Sequence, residues 1–375
     1  MNIIRDNCAI CNNNLVNIYS LSKMPINLSC VDFENEYNYN TLSFSECTTC
    51  NTIQLDNLIP LNILYQTSHN FTSVGKVWEN YFDLFIKKIN PIVDNKKILE
   101  IGCPSGKLAL KCNNYKKWYI VEPNKNNEIN FNDKIIFCQQ FFDKDFRLDI
   151  NIDVIVHSHL FEHIYEPNEF LKKCNEILDE NGEMIFGVPN MEHLAKKSLC
   201  LFLGIFFEHT IFLNKENISY LLNKNGFEII EIIDYENHST IYHAKKIKNK
   251  INVKDNFKIT NYNNIFYSLI NEYKTYVDKC NLVINDNIDK DVFIFGASYN
   301  SQILLFSGID MENLKGVLDN CKEKQNKYLY GTKLKIYNPE ILINNDAIVI
   351  LKNGYYSEEI FLQLRKINEN LIIIL

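Results

Sequence analysis

The chain has 375 residues, of which 46% are hydrophobic, and a formal net charge of −7 at pH 7. That length is too great for one core and implies two or three domains. The acidic balance argues against nucleic acid as the main partner, because phosphate binding needs a concentrated positive field. The longest apolar run, Leu199–Phe207, falls short of the roughly twenty residues that a membrane helix requires, so a soluble chain without a membrane span is expected.

At the N-terminus two knuckles, Cys8-x-x-Cys11 and Cys47-x-x-Cys50, offer four thiolates to one tetrahedral zinc, since each tight turn presents both of its sulfurs to the same point. The spacer 12–46 is expected to form a small insertion, within which Cys30 is an alternative ligand. No signal-type segment precedes Cys8, and the cysteines are scattered, which points to a reducing, cytoplasmic compartment. Cys30, Cys103, Cys112, Cys138, Cys174, Cys200, Cys280 and Cys321 then read as packed thiols. This zinc-binding module spans 1–58.

A helical stretch over Leu61–Ile89 follows, with Val77, Tyr81, Leu84 and Phe85 marking its buried face. Next comes ILEIGCPSG, Ile98–Gly106, an apolar strand that ends in an acid and breaks into a turn with glycines at 102 and 106. Glycine lets the backbone turn sharply and approach a ligand closely. The spacing is E-x-G-x-x-x-G, not the dinucleotide G-x-G-x-x-G, and it resembles motif I of S-adenosylmethionine-dependent methyltransferases. That resemblance implies that Glu100, Gly102, Cys103, Ser105 and Gly106 lie at the methionine end of the cofactor.

The next strand, WYIVEPN, ends at Glu122, where a carboxylate can accept both ribose hydroxyls; a solvated turn acid is the plainer alternative. Asp153–His157 is a short buried strand. Many methyltransferases place an H-x-L-x-H-like segment here along the cofactor, which implies His157, His159 and Leu160. A helix is expected after it, its first stretch ending at Glu166-Pro167. Gly182–Asn190 gives a further strand with a Pro-Asn stop. Four landmarks in this order imply an α/β, class I Rossmann-like methyltransferase domain over 59–245.

Its later part reads as a helix ended by Asn225-Gly226 and then two strands, with Gly226 as a left-handed cap. The lysine-rich segment around 244–254 is the candidate domain boundary. A Rossmann pattern then returns over 246–375. Asp291–Phe306 is strand, turn and helix start, and further strands end at Asp319 and Lys352. Three strands alternating with helices predict a small parallel sheet. Its turn carries only Gly296, so no bound dinucleotide is expected, and packing and substrate-binding roles both stay open.

Zinc module, central methyltransferase and C-terminal Rossmann-like domain, together with the phrase VLDNCKEKQNKYLYGTKLKI, resemble the sugar C-methyltransferase family over nearly the whole chain. The resemblance implies a nucleotide-linked deoxysugar between the domains, S-adenosylmethionine as donor and structural zinc. Methylating a carbon next to a ketone first requires a base, and histidine titrates near working pH. The family's Tyr-His-Glu-His appears here as Phe206-Phe207-Glu208-His209. His209 is therefore the expected base, with Glu208 orienting it or binding a sugar hydroxyl.

Tyr65 stands where the family carries a catalytic tyrosine, with His69 and Asn70 as alternatives in the same segment. His238 and Ser239 fall in the region of the family's His-Gly-Gly-Ser. The missing tyrosine hydroxyl at 206 makes O-methylation a competitor. His163 reads as a packing or cofactor-side residue, and His193 and His243 as exposed side chains without a role. A zinc-carrying RNA methyltransferase and a non-catalytic methyltransferase-like scaffold are the readings from other classes.

Overall fold

The computed structural model describes residues 2–27, 30–32, 37–65, 76–124, 131–196, 206–236, 238–248, 257, 262–352 and 356–375. The N-terminal module contains β1 (Ile3–Ile4), β2 (Leu15–Pro25), β3 (Cys30–Val31), β4 (Tyr39–Cys47), β5 (Ile53–Leu55) and β6 (Asn57–Leu58). β2, β4 and β5 form an antiparallel sheet in that order, and β1 pairs with β6. Each cysteine knuckle sits at an end of this sheet. The spacer between the knuckles is the β2–β4 hairpin arm, as alternating apolar residues such as Leu42 and Phe44 require.

The central sheet holds β7 (Lys97–Ile101), β8 (Lys117–Val121), β9 (Ile135–Cys138), β10 (Ile152–Ser158), β11 (Leu178–Pro189), β12 (Phe227–Tyr235) and β13 (Ser239–Lys246). Their order is β12-β13-β11-β10-β7-β8-β9. β13 runs antiparallel to both neighbours, and the other adjacent pairs are parallel. This is the class I Rossmann-like arrangement. Its two faces are packed separately, Leu99, Ile101, Ile155 and Phe186 on one side and Ile98, Trp118, Ile120 and Val156 on the other, because successive residues of a strand point to opposite faces.

Several expectations need correction here. Among the described residues of the stretch 61–89 there are two helices, Leu61–Leu64 and Lys76–Ile89. Tyr81 and Phe85 are buried on the second helix, but Val77 is exposed. After β10 the chain makes a 3₁₀ turn, Phe161–His163, and the helix begins at Pro167 and runs to Ile177; proline fits the first helical position, where no amide is needed. His243 is buried, not exposed, and pairs with Glu183 at 2.7 Å.

The last sheet is parallel and has five strands where three were expected: β14 (Val292–Phe295), β15 (Leu314–Leu318), β17 (Ile336–Tyr337), β18 (Ile348–Ile350) and β19 (Ile372–Ile374), in the order β17-β15-β14-β18-β19. The two additional strands are edges too short to show a period. β16 (Tyr328–Leu329) pairs with β3 of the N-terminal module. A shared core joins that module to the helix Tyr262–Asn285 and the last sheet, with Phe44, Phe266 and Ile303 among its members.

Candidate active site

In an open parallel sheet, ligands bind beyond the carboxyl ends of the strands where the chain reverses its direction of travel across the sheet. Here that point lies between β7 and β10. The turn after β7 holds Gly102 and Gly106, both left-handed at φ +77° and +56°, where side chains are strained. A Cβ on Gly102 would stand 2.8 Å from Leu160 Cδ1, so the turn and the β10 exit face one another. Cys103 and Ser105 touch within the turn at 3.7 Å. At the end of β8, Glu122 Oε1 accepts the Asn124 amide at 2.8 Å, and burial raises its pKa.

Two expected cofactor residues are buried within the sheet and not open to this crevice. Glu100 is fully buried on the opposite side of the strand, where Oε2 accepts from Trp118 Nε1 at 2.8 Å. Burial pushes its carboxyl up to about 7. His157 is 1% exposed and stacks on Phe186 with ring centroids 4.8 Å apart, and burial pulls its imidazole down to about 3. Both side chains support the sheet from its faces. The alternation of β7 and β10 decides this, and the sequence motif alone did not separate wall from crevice.

His159, by contrast, sits at the β10 exit with φ +50°, a strained conformation for a side-chain-bearing residue. Its amide donates to the Gly187 carbonyl at 2.8 Å, and its Nε2 lies 2.9 Å from Ser239 Oγ. Ser239 in turn lies 2.6 Å from His238 Nδ1. Trp78 packs edge-on against both imidazoles, and Tyr81 hydrogen-bonds Ser158 at 2.8 Å. Gly187 admits that phenol, since a Cβ there would be 1.8 Å from the Tyr81 oxygen. Trp78 carried no sequence signal beyond its place in an apolar helix.

The expected catalytic residues converge on His163, which its sequence context marks as a packing or cofactor-side residue. His163 Nδ1 is 2.9 Å from the Tyr65 hydroxyl and 4.0 Å from Glu208 Oε2. Its ring meets that of His209 edge-on, with centroids 4.6 Å apart. Phe206 packs on His209 at 4.3 Å and on Tyr299 of the last domain at 4.9 Å, while Phe207 is buried. Burial, then the charges of Glu208, Tyr165, Glu162 and Glu122, push the Tyr65 phenol well above its ordinary range. His69 and Asn70 lie outside the described residues.

Beneath this group Glu162 is 1% exposed. Burial alone would raise its pKa, but hydrogen bonding with His159 and the charges of His159, His163 and His209 outweigh it and hold the carboxyl at about 2. The His159 Nδ1 to Glu162 Oε1 distance is 3.4 Å. The only sequence signal for Glu162 was its place between two histidines.

The loop that carries His209 is held by the N-terminal module. Leu55 N donates to Thr210 O and Phe212 N to Ile53 O, both at 2.8 Å, so residues 210–212 extend the β5 edge of the small sheet. Arg5, also buried, donates to the carbonyls of Leu55 at 2.9 Å, Tyr165 at 2.8 Å and Thr210 at 3.3 Å.

The four knuckle sulfurs lie within 4.8 Å of one another, with Cys8–Cys50 at 3.5 Å and Cys11–Cys47 at 3.4 Å. Four sulfurs about 2.3 Å from a zinc are spaced by about 3.8 Å. The amides of Ile10, Thr49 and Cys50 donate to sulfur, as do the side-chain amides of Asn13 and Gln54. Such donors orient and stabilise metal-bound thiolates. The four residues fit a closed tetrahedral zinc site, and all four are buried.

In the last domain, the turn after β14 is closed on itself. Ala297 N donates to Asp319 Oδ2 at 2.8 Å, and Lys324 Nζ donates to the Ala297 carbonyl at 2.9 Å. The carboxylate thereby takes an amide that a phosphate would use.

A family model described as a methyltransferase domain matches residues 77–232, and one described as the C-methyltransferase C-terminal domain matches residues 238–373. With the class I sheet and its glycine turn, these matches define the chain as an S-adenosylmethionine-dependent methyltransferase. More particularly, the two matches follow one another along the chain, the second to a model described as the C-methyltransferase C-terminal domain. No curated protein is similar enough to count as a match.

Solved structures similar to the central part include the N-methyltransferase NodS from Bradyrhizobium japonicum WM9, at 11% identity and TM-score 0.36, covering 46% of this chain and 98% of that one. An S-adenosylmethionine-dependent methyltransferase from Mesorhizobium loti shares 11% identity at TM-score 0.36, covering 44% of this chain and 96% of its own. Magnesium protoporphyrin IX methyltransferase from Synechocystis PCC 6803 shares 15% identity at TM-score 0.36, covering 48% and 90% respectively. Among the described residues, no helix is long and apolar enough to cross a membrane.

Proposed function

We propose that the protein methylates a nucleotide-linked sugar at a carbon next to a keto group, with His209 as the base. The observation that carries this reading is the convergence of Tyr65, His163, Glu208 and His209, a few residues along the chain from Leu160, which faces the glycine turn, with Phe206 packed between His209 and Tyr299 of the last domain. The match to a C-methyltransferase C-terminal domain supports it. Gly102, Cys103, Ser105 and Gly106 would hold the methionine end of S-adenosylmethionine, and Glu122 its ribose. When bound, that donor supplies an electrophilic methyl group. His209 removes the acceptor proton, Glu208 orients the sugar, and the enclosed geometry supplies rate through proximity. Zinc on the four cysteines has no open position for a reactant, so its part is structural.

O-methylation of a sugar hydroxyl is the second reading. Phe206 and Phe207 stand where the resembled family has tyrosine and histidine, which leaves no phenol at 206 to stabilise an enolate. The experiment is incubation with S-adenosylmethionine and a panel of keto- and hydroxy-sugar nucleotides. Mass spectrometry should show a one-methyl gain, and NMR of the product places the methyl on carbon or oxygen. A gain on RNA instead, or no gain on any acceptor, refutes the sugar reading.

A further inference from the structure

We propose that Ser239 and His238 are positioning residues for methyl transfer, which through His159 hold the Glu162 carboxylate as a counter-charge for the base. That role rests on the methyl-transfer reading, whereas the hydrogen-bonded chain behind it does not. The four groups stand in line. Glu162 Oε1 pairs with His159 Nδ1 at 3.4 Å, His159 Nε2 lies 2.9 Å from Ser239 Oγ, and Ser239 Oγ lies 2.6 Å from His238 Nδ1. Ser239 is 0% exposed, so water does not compete for its hydroxyl.

The line has a direction. A hydroxyl has one proton to give, and which nitrogen of an imidazole carries the proton is set by the bond that the other nitrogen makes. The carboxylate end only accepts, so His159 holds its proton on Nδ1 and keeps a lone pair on Nε2. Ser239 donates to that lone pair. The Ser239 oxygen then accepts, and His238 carries its own proton on Nδ1. Burial, then the charge of His159, lowers His238 to about 4, so the ring is neutral and has the single proton that this order requires. The sheet fixes both members. Ser239 stands opposite Pro189 and Tyr235 in β13, while the His238 carbonyl accepts the Asn190 amide at 3.0 Å and its amide donates to the Tyr235 carbonyl at 3.1 Å. Trp78 lies edge-on to both rings, with centroids 4.7 Å from His159 and 4.4 Å from His238.

The consequence falls on Glu162. A buried carboxylate stays ionised only where donors and positive charge outweigh desolvation, and His159 is its hydrogen-bonding partner in that balance. Without Ser239, His159 is free to move its proton to Nε2 and turn a lone pair toward the carboxylate. Glu162 then takes up a proton more readily, and the imidazolium formed on His209 loses a counter-charge. The other titratable groups of the cluster, His163, Glu208 and Tyr65, stay in place. So do Tyr165 and Glu122, whose charges reach Tyr65, and Tyr299 behind Phe206.

The test combines nitrogen-15 NMR of the full chain, labelled at histidine, with steady-state kinetics. In wild type near neutral pH, His159 and His238 should both be neutral with the proton on Nδ1. Ser239→Ala should lose that state at His159. Its turnover should fall about 10-fold or more, a part of the roughly 10²–10⁴-fold that proton transfer contributes. The acid limb of kcat/KM should also move to lower pH, because a base without its counter-charge holds a proton less tightly. Ser239→Thr, which keeps the hydroxyl, should restore both. His238→Phe should behave as Ser239→Ala does, and His238→Asn, whose amide still donates, should stay close to wild type. Unchanged S-adenosylhomocysteine affinity reports that each variant is folded. A wild-type His159 with its proton on Nε2, or on both nitrogens, overturns the chain. Slower Ser239→Ala and His238→Phe variants with an unmoved acid limb overturn the positioning role, since a merely structural loss lowers turnover at every pH alike. A wild type that methylates no acceptor refutes the methyl-transfer reading and this role with it, and the NMR spectra still decide the chain.

Discussion

The buried guanidinium of Arg5 donates to the carbonyl of Thr210 at 3.3 Å, across 205 residues of sequence. The same carbonyl accepts the Leu55 amide at 2.8 Å. The residue after His209 is thus fastened to the first strands of the chain, and on the reading proposed above the N-terminal module would help to position the base.

Replacing Arg5 with methionine keeps the side-chain length but leaves the carbonyls of Leu55, Tyr165 and Thr210 without this donor. Hydrogen bonds to charged groups are worth about 1.5–3 kcal/mol each, and orphaned acceptors carry a desolvation cost. Urea unfolding should show a loss of about 2–4 kcal/mol. Turnover should fall while S-adenosylhomocysteine affinity is retained, because the glycine turn lies on a different sheet. Unchanged turnover would detach Arg5 from the positioning of His209.

Removing zinc with a chelator acts on the same link from the other side. Free energy of metal binding is free energy of folding in such modules, and β5 carries the 210–212 segment. The chelated protein should lose activity and show a lowered Tm, with both restored on adding zinc back. A chelated, metal-free protein that keeps full turnover would refute the coupling.

Gly102→Val places a branched side chain at φ +77°, with its Cβ 2.8 Å from Leu160 Cδ1. The turn must open or Leu160 must leave the crevice. Calorimetry should find S-adenosylmethionine affinity reduced at least 100-fold, or about 2.7 kcal/mol. A normal dissociation constant would move the cofactor site elsewhere.

His209→Ala should lower turnover by about two orders of magnitude or more, in line with loss of a general base, and leave cofactor binding intact. The readout is kcat under saturating donor. Full activity would remove His209 from the chemistry.

Glu100 predicts a pH effect on stability. Burial raises its folded value to about 7, above its ordinary 4.5, so folding favours the protonated form. Its contribution is complete below about pH 4.5 and is lost as pH rises through about 7. Linkage makes the loss about 3 kcal/mol. Glu100→Gln keeps an acceptor for Trp118 and cannot ionise, so its stability should fall less than wild type's between pH 5 and 8. Parallel curves from urea titrations across that range would show that the carboxyl is already ionised in the folded protein.

Much of the fold was legible because its signals are local. The E-x-G-x-x-x-G turn needs left-handed backbone at 102 and 106, and glycine supplies it. The cysteine knuckles carry their geometry in their spacing, and Asn225-Gly226 ends its helix with Gly226 at φ +82°. By contrast, β17 and β19 are edge strands of two and three residues, too short to leave a pattern.

The site was legible only in part. Sequence alone determined that an apolar strand would end in a glycine turn, that an acid would close the next strand, and that four thiols would be offered in two pairs, because each depends on backbone conformation within a few residues. Tertiary structure decided that Glu100 and His157 support the sheet faces, that His163 and not a more suggestive histidine stands at the centre of the cluster, and that Glu162 lies buried beneath it. It also decided that β5 and Arg5 hold the His209 loop. Those outcomes depend on which face of a strand is buried and on contacts between distant segments, and these form only when the whole chain packs.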